Sequence, residues 1–587
     1  MKFKFQNKSD DVVNPQTQDA ALPSHPQTDT TPNLYPELRI ISLGGTTAVT
    51  KNMTVYECGD FMIVVDCGFG FPDSEMLGVD VVLPDISYIL ERKNKLKAVF
   101  ITHGHDDHIG AIPFLIRDLA VPIYSTRLVK GLIEVKLREV NALNNVSLKL
   151  MDPEGEGVEI GPFRVDYFRV NHSVPDACGI SIKTPHGKIL HCADFKFDWT
   201  PVLDKPFDVA KMTRLVGDEG TTLLLSDCLG ATTEGYARSE KSIESTFDEL
   251  LEKAKGKQVF VTTISSNVSR MAQAIDSAKK HGRRIVLAGR SIEQTVDVAQ
   301  KLGYLKSDPS LFIEKDKAMK FPQGEILYII AGAYGQSESA ISRISRGEHE
   351  SLILEEGAYV IFSADPNPPG VREDVDALID RLTLKNAIVI YSEIQENLHV
   401  SGHGLRGDQR LVAALSRAKY FMPIGGTVKH MRAYANMLYE MGAVPGCVFE
   451  CLEGDVLILR NGTATRGEKV AVSNVFVDGR IVGDVGEKVI QDRNALSQDG
   501  IVVVVVPVSQ NGQLGKVDIV TRGFVYVKES KELLRDSFEV IERIFNENKN
   551  EWKNKGLIKG SIEKALSKFL YKKTGREPLV LVSVVEI

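Results

Sequence analysis

The stretch FITHGHDDHIGAIPF, residues 100–114, decides how the rest of the chain is interpreted. It places three histidines and two aspartates between positions 103 and 108, although the whole chain has only 12 histidines. An apolar run precedes these residues and an apolar, helix-like segment follows them, so they stand in a loop at the end of a strand. A rigid scaffold can aim several side chains at one point from such a loop.

The pattern H-x-H-x-D-H in this loop indicates a metal site more than a solvated histidine-rich turn. Imidazole nitrogens and carboxylate oxygens suit zinc or manganese as ligands. Two ions could share the loop, with His103 and His105 on one ion and Asp107 and His108 on the other.

Two further candidate ligands follow later strands. They are His172 in VNHSVPD and Asp194 in HCADFKFD. Alone, His172 would be interpreted as a turn residue and Asp194 as a helix cap. Together with the loop they complete a set of ligands drawn from separate strand ends.

At this point the order of motifs resembles that of the metallo-β-lactamase fold. Asp66, the 103–108 loop, His172 and Asp194 match that order, and the wider context, with LLLSDC and VSGHG further along, resembles ribonuclease J, a β-CASP nuclease. The resemblance runs from about Leu38 to Ile587. It implies an α/β fold: a metallo-β-lactamase αββα sandwich with an inserted β-CASP α/β domain and a small α+β C-terminal domain.

The alternation of strands and helices gives the expected domain limits. They are a disordered N-terminal tail (1–36), the first part of the metallo-β-lactamase domain (37–225), the β-CASP domain (226–395), the second part of the metallo-β-lactamase domain (396–476), a linker (477–495) and the C-terminal α+β domain (496–587). The run IVVVVVPV (501–508) predicts a buried strand that stops at Pro507.

The resemblance also assigns metal ligands residue by residue. His103, His105 and His172 would bind one ion, Asp107 and His108 the second, and Asp194 would bridge both. Asp66 would orient a histidine ligand without touching the metal. The implied cofactors are two divalent ions, with zinc expected and manganese or magnesium as alternatives.

Residues of the inserted domain and its return segment have implied catalytic or RNA-binding roles. Asp227 in LLLSDCLGA and His403 in HVSGHG would handle protons beside Asp194, although Asp227 alone would be interpreted as a strand-end cap. The loop of His399, Val400, Ser401, Gly402 and His403 would line the phosphate pocket. Ser266 and Asn267 are weaker RNA-binding candidates, for which a helix N-cap is an equal alternative.

One position departs from the family pattern. In FMPIGGTVKH (421–430), Gly425 stands where ribonuclease J usually has a histidine ligand of the second metal. Glycine has no side chain to coordinate an ion, so we expect a weakened second site. His430, five residues on, is a poor substitute.

Composition excludes several other classes of protein. The net charge of −7 argues against a generally basic nucleic-acid coat, and KKHGRR (279–284) and KFLYKKTGR (568–576) are the densest basic runs. Seven scattered cysteines do not suggest a disulfide framework, which favours a reducing compartment. No segment is apolar enough for a membrane span, so we expect a cytoplasmic protein without a membrane partner.

The resemblance to ribonuclease J implies a metal-dependent exo- and endoribonuclease acting on single-stranded RNA, 5′ to 3′. The resemblance implies 5′-phosphate and 3′-hydroxyl products, roles in RNA maturation and mRNA decay, a homodimer or homotetramer, and contacts with other RNA-degradation proteins. Two alternatives stay open: a catalytically weakened RNA-binding or regulatory subunit, suggested by Gly425, and a DNA-directed β-CASP nuclease. A thioester or lactam hydrolase on the same fold is disfavoured by the inserted domain and HVSGHG, because small substrates do not need a second domain that grips phosphate.

Overall fold

A computed structural model describes residues 35–73, 75–118, 120–365, 371–479, 481–483, 485–525 and 531–587. Nearly all of the predicted N-terminal tail, residues 1–34, therefore lies outside the described residues. The described chain forms two large sheets, a five-stranded sheet and two three-stranded sheets. None of the described helices is both long and apolar enough to cross a bilayer.

The first 227 residues contribute most of the two large sheets. Their strands are β1 Leu38–Gly44, β2 Met53–Cys58, β3 Phe61–Val65, β4 Val81–Leu83, β5 Leu96–Phe100, β6 Ile123–Ser125, β7 Leu148–Leu150, β8 Val158–Ile160, β9 Phe163–Arg169, β10 Cys178–Thr184, β11 Gly187–Cys192 and β12 Thr221–Asp227. Their helices are α1 Ser87–Glu91, α2 Asp106–Ile109, α3 Ile112–Leu115, α4 Arg127–Glu139 and α5 Val209–Val216.

A βαβ unit follows, as the alternating sequence predicts. It contains α6 Glu244–Lys253, β13 Val259–Thr262, α7 Val268–Lys280, β14 Arg284–Ala288, α8 Arg290–Lys301, β15 Ile326–Ile330, α9 Ala340–Arg346, β16 Tyr359–Phe362, α10 Arg372–Leu384 and β17 Ile388–Ile390. Its strands form a parallel sheet of order β14-β15-β13-β16-β17. The apolar runs of these strands are buried because helices cover both faces of a parallel sheet.

The chain then returns to the first two sheets. It adds α11 Arg406–Ser416, β18 Ala418–Ile424, α12 Val428–Glu440, β19 Val456–Arg460 and β20 Thr463–Arg466. The completed sheets have the orders β20-β19-β1-β2-β3-β5-β6-β7 and β18-β12-β11-β10-β9-β8. One apolar core joins their facing sides, for instance Ile63 and Phe100 from one sheet with Tyr167 and Leu225 from the other. Helices cover the outer faces, so this is the expected αββα sandwich.

The last elements are β21 Val475–Asp478, β22 Ile481–Val482, α13 Glu487–Asp499, β23 Ile501–Val508, β24 Asp518–Arg522, α14 Lys531–Glu547, α15 Lys555–Thr574 and β25 Leu579–Glu586. Within the predicted linker 477–495, the described residues include the end of β21, which pairs with β4, and most of α13. The domain limits stated above remain predictions.

The strand β23 corrects one prediction. It continues through Pro507 to Val508, and its residues alternate between buried and half-buried, so only one face of the strand is fully covered. β24 pairs with β23 only as far as Val505, whereas β25 runs alongside to the end. Beyond Val505 the pairing is irregular: Gly515 donates its N–H to the carbonyl oxygen of Pro507 at 2.7 Å, and Leu514 forms an isolated bridge with Val508. Because the regular ladder between β23 and β24 does not extend this far, the missing N–H of proline interrupts no regular pairing.

All seven cysteines are free thiols and all are buried. This confirms that the chain has no disulfide framework.

Candidate metal centre and active site

The predicted ligands stand just beyond the carboxyl ends of strands in both large sheets. β3 is parallel to β5, and β11, β12 and β18 are parallel to one another, so these strand ends meet at one edge of the sandwich. The residues that follow them are Asp66 after β3, the 101–108 loop after β5, His172 after β9, Asp194 after β11, Asp227 at the end of β12 and Gly425 after β18.

A first cluster consists of His103, His105, His172 and Asp194. The Nδ1 atom of His105 lies 3.2 Å from Nε2 of His103 and 3.0 Å from Nε2 of His172. The Oδ2 atom of Asp194 lies 3.6 Å from Nε2 of His103 and 3.7 Å from Nε2 of His172. Ligand atoms about 2.0–2.2 Å from one ion lie at most about 4.4 Å apart, so these four donors fit a single divalent cation.

The protonation of the first cluster also suits a metal. Burial disfavours the charged imidazolium and lowers the pKa of His105 to about 4. Burial likewise holds the pKa of His103 and that of His172 well below the usual range. His172 donates from Nδ1 to the carbonyl oxygen of Gly402, 2.7 Å away, which leaves the Nε2 lone pair facing the cluster. All three rings are thus neutral ligands at neutral pH.

A second cluster shares Asp194 with the first. Its other members are Asp107 and His108, and the three ligand atoms lie within 4.8 Å of one another. Nε2 of His108 lies 3.4 Å from Oδ2 of Asp194 and 3.6 Å from Oδ2 of Asp107. Asn52, which belongs to no motif in the sequence, also lies here, with its side-chain amide 3.0 Å from Nε2 of His108. The only signal in the sequence is a polar residue directly before β2.

Asp66 contacts the ring of His108 on the side away from the second cluster. Its carboxylate lies 2.8 Å from Nδ1 of His108 and accepts a hydrogen bond from the backbone N–H of Thr102, also 2.8 Å away. Its φ of 62° turns the chain sharply at the end of β3. The carboxylate thereby fixes the ring of His108 with Nε2 toward the cluster, as the sequence predicts for this residue.

Replacing Asp66 with asparagine should weaken metal binding at the second cluster roughly 10- to 100-fold, the range found when the partner of a ligating histidine is changed. Asparagine tolerates the left-handed backbone conformation, so the fold should survive. Metal titration monitored by calorimetry measures the effect, and the first cluster serves as an internal control. Equal affinity of the variant and the parent at both clusters would contradict this role of Asp66.

Gly425 borders the second cluster without contributing to it. Its N–H donates to the carbonyl oxygen of Gly45 at 2.7 Å, and its φ is 67°. A Cβ atom added here would lie 3.5 Å from Oδ1 of Asp194 and 3.5 Å from Oδ1 of Asp227, which is ordinary contact. Gly425, Asp194 and His108 line the same small cleft. A side chain could therefore enter this site, at the cost of left-handed backbone strain.

We expect Gly425→His to raise metal occupancy of the second cluster and to change its metal preference, because an imidazole would join three existing ligands. The strained φ should lower stability by about 1–2 kcal/mol. Gly425→Ala is the matched control, since it carries the same strain without a ligand. Metal content by mass spectrometry and thermal unfolding measure the two effects. If the histidine and alanine variants hold the same metal, the second-site hypothesis is wrong.

His403 and Asp227 form a hydrogen-bonded pair beside both clusters. Nδ1 of His403 lies 2.7 Å from Oδ2 of Asp227, and its Nε2 lies 3.8 Å from Oδ2 of Asp194. Burial alone would lower the pKa of His403, but the two carboxylates outweigh it and raise that pKa to about 9. Burial raises the pKa of Asp227, although His403 opposes the shift. The pair therefore holds a proton at neutral pH.

The loop that carries His403 passes directly over the first cluster. Gly402 is required there, because a Cβ atom would lie 2.8 Å from Cε1 of His172. Ser401 accepts at Oγ a hydrogen bond of 3.0 Å from the N–H of His403, while Val400 is buried. Burial lowers the pKa of His399 to about 4, with Arg270 adding to the effect, so a neutral His399 could offer a hydrogen bond but no charge.

The two weaker RNA-binding candidates differ from each other. Oδ1 of Asn267 accepts a hydrogen bond of 2.9 Å from the N–H of Arg270, and the side chain is buried. Asn267 thus caps α7, which is the alternative that the sequence left open. Ser266 is half-buried in the same turn, and a contact of this residue with RNA remains a prediction.

Three family models match the chain. They are the metallo-beta-lactamase superfamily at residues 46–257, the ribonuclease J beta-CASP domain at 256–382 and the ribonuclease J C-terminal domain at 488–587.

Similar proteins match over almost the whole chain. Ribonuclease J2 of Bacillus subtilis is 35% identical over 556 residues, which cover 94% of this chain and 99% of that protein. Ribonuclease J 1 of Streptococcus pyogenes is 37% identical, with 93% and 97% covered, and ribonuclease J 2 of Staphylococcus aureus is 32% identical, with 94% and 98% covered. A solved Enterococcus faecalis protein of unknown function shares the fold at 17% identity, with a TM-score of 0.50 over 72% of this chain and 100% of that one.

Proposed function

The chain belongs to the ribonuclease J family, and on that premise we propose that it hydrolyses single-stranded RNA with two divalent ions as cofactors. The observation that carries the proposal is the shared carboxylate of Asp194, which joins two sets of metal ligands and lies 3.8 Å from Nε2 of His403. We propose zinc as the first metal and manganese or magnesium as substitutes, with a weaker second site because of Gly425.

Bound divalent ions would polarise the scissile phosphate and neutralise the charge that develops during an in-line displacement. His103, His105 and His172 with Asp194 would hold one ion, and Asp107, His108 and Asp194 the other. Asp66 would keep the ring of His108 in place, as described above.

His403 would act as the general acid. Its raised pKa keeps Nε2 protonated at neutral pH, so it can donate a proton to the departing 3′ oxygen. Asp227 would hold the ring through Nδ1 and stabilise its charge. Cleavage of the bond between phosphorus and the 3′ oxygen leaves a 5′-phosphate and a 3′-hydroxyl, which are the products we propose.

We further propose that the enzyme acts 5′ to 3′ as an exonuclease, cuts internally as well, and takes part in RNA maturation and mRNA decay. The seven free thiols support a reducing compartment such as the cytoplasm. A homodimer or homotetramer and partners in RNA degradation remain predictions. The regulatory alternative is not favoured, because the first cluster and the His403–Asp227 pair are complete.

The test uses 5′-monophosphorylated single-stranded RNA with a 5′ label, incubated with the protein and either Mn²⁺ or Zn²⁺. Release of labelled mononucleotide indicates exonuclease action, and longer labelled products indicate internal cuts. DNA of the same sequence and a His105→Ala variant are the controls. Equal cleavage of DNA would favour the DNA-directed alternative, and RNA binding without turnover under any metal would overturn the proposal.

A further inference from the structure

Three charged side chains lie in the interior next to the loop that carries His403. Lys196 and Arg270 are fully buried, and Glu240 is 2% exposed. One carboxylate oxygen of Glu240 lies 3.1 Å from Nζ of Lys196, and the other lies 2.8 Å from Nη2 of Arg270. We call these three residues the buried charge cluster. Charges removed from water in this way are costly unless their remaining donors find partners.

Two of the remaining donors of the buried charge cluster bind backbone oxygens of the 398–402 loop, and the same side chains also bond to Arg238 and Ser363. Nζ of Lys196 donates to the carbonyl oxygen of Ser401 at 3.0 Å. Nη1 of Arg270 donates to the carbonyl oxygen of Leu398 at 2.9 Å. Ser363, which itself accepts a hydrogen bond from Arg270, donates from Oγ to the same oxygen of Leu398 at 2.6 Å. Two cations thus hold the loop at two points.

These contacts decide which way the loop's N–H groups face. In a trans peptide the C=O of one residue and the N–H of the next point in opposite directions. Because the carbonyls of Leu398 and Ser401 turn toward the buried cations, the N–H groups of His399 and Gly402 turn away from them. Throughout the described residues, neither N–H has a hydrogen-bond partner. They are free donors on a loop whose next residue is His403.

The cluster is also tied to the first metal cluster through its backbone. The N–H of Lys196 donates to the carbonyl oxygen of Asn171 at 2.8 Å, one residue before His172. Lys196 itself follows Asp194 by two residues. The side chain of one lysine therefore fixes the His403 loop, while its main chain joins the segments of two metal ligands.

We propose that Lys196, Glu240 and Arg270 are positioning residues for the RNA hydrolysis described above. Lys196 and Arg270 hold the 398–402 loop with the N–H groups of His399 and Gly402 turned away from the two cations and with His403 beside Asp194. Glu240 holds the two cations in place. The proposal rests on the proposed function, because it assigns these residues to the same reaction.

The first test is Lys196→Met, which keeps the length of the side chain and removes the bond to Ser401. We expect kcat to fall roughly 10- to 100-fold, the loss that a misplacement of about 1 Å can cause, with unchanged metal content. Lys211→Met is the matched control. Lys211 is another buried lysine, and it donates to the carbonyl oxygens of Pro153 and Gly155, away from the His403 loop. Its loss should lower the melting temperature and leave kcat unchanged.

A double variant separates positioning from general damage. If Lys196 acts through His403, then Lys196→Met in a His403→Ala background should reduce the remaining rate less than twofold, because interacting residues are non-additive. A full multiplicative loss in that background, or an equal fall of kcat in Lys211→Met, would overturn the proposal. Glu240 is left intact in these variants, since it compensates two buried cations and its loss would mainly test folding.

Hydrogen exchange gives a readout that does not depend on activity. The amides of residues 399–403 should exchange faster in Lys196→Met than in the parent, while other loops keep their rates. Ser363→Ala, which retains all three charges, should produce a smaller increase confined to the start of this loop. Unchanged exchange in both variants would refute the positioning role. If the parent protein cleaves no RNA but the exchange differs as expected, the proposed function fails and the role in holding the loop stands.

Discussion

Replacing Asp194 with asparagine should abolish RNA hydrolysis and sharply lower metal content. Its Oδ2 atom lies 3.4–3.7 Å from the Nε2 atoms of His103, His108 and His172, so a neutral amide removes the charge common to both clusters. Metal ions supply several kcal/mol of transition-state stabilisation, and losing that corresponds to a rate decrease on the order of a thousandfold or more. Single-turnover cleavage and metal analysis of the purified variant measure the two losses.

The control for this variant is Asp297→Asn, which removes a carboxylate from the exposed surface of α8. It should retain full activity and metal content. An Asp194→Asn protein that keeps its metal and cleaves RNA at the parental rate would contradict the assignment of both clusters. Unchanged far-ultraviolet circular dichroism would show that the loss is local.

Replacing His403 with alanine should slow cleavage roughly 10²- to 10⁴-fold, the usual contribution of a general acid, without removing metal. The ring hydrogen-bonds to Asp227 at 2.7 Å and lies further, at 3.8 Å, from Asp194. Metal binding should therefore depend little on this histidine. Rapid-quench kinetics at saturating RNA, together with metal analysis, separate the chemical step from binding.

The same pair predicts a non-additive result. Asp227→Asn should reduce the rate because the ring of His403 loses the carboxylate that orients and charges it. In a His403→Ala background the Asp227 substitution should cost little more. His349→Ala, whose ring lies outside the metal clusters, is the control and should leave kcat unchanged. A multiplicative loss in the double variant would show that Asp227 acts independently of His403.

The candidate site was largely predictable because its residues follow strands that are apolar in sequence. Each of His103, His172 and Asp194 comes shortly after such a run, and the fold brings those strand ends to one edge. The βαβ unit was predictable because its strands and helices have distinct apolar periods. The αββα sandwich and the assignment of the ligands came from the resemblance of the ordered motifs to ribonuclease J, and that assignment remains a proposal.

Contacts between distant residues could not be predicted in this way. Lys196 bonds to a carbonyl 205 residues further along, and Arg270 to one 128 residues away. Asn52 meets His108 across 56 residues. In the sequence, Lys196, Arg270 and Asn52 look like ordinary polar residues. Their partners are backbone oxygens or a histidine ring, which only the completed fold brings beside them.

A run of basic residues in the sequence can also serve the fold and not contact solvent or a ligand. KKHGRR is one of the densest basic runs in the sequence, yet its Arg283 is buried and donates to the carbonyl oxygens of Lys257 and Ile326. Its guanidinium joins the ends of neighbouring segments of the inserted sheet. Charge density in a sequence does not reveal whether a side chain faces water or a ring of carbonyls.

Asp194 is shared by the two metal clusters and lies beside the His403–Asp227 pair, which has a consequence for how such an enzyme can diverge. A substitution at this carboxylate changes both ion sites and the acid–base pair at once, so no intermediate form could adjust one of them alone. Metal preference can therefore change more readily at positions that leave the shared carboxylate in place, such as Asn52, Asp66 and Gly425. Substitutions at these three positions could change metal preference between related enzymes while the shared carboxylate stays the same.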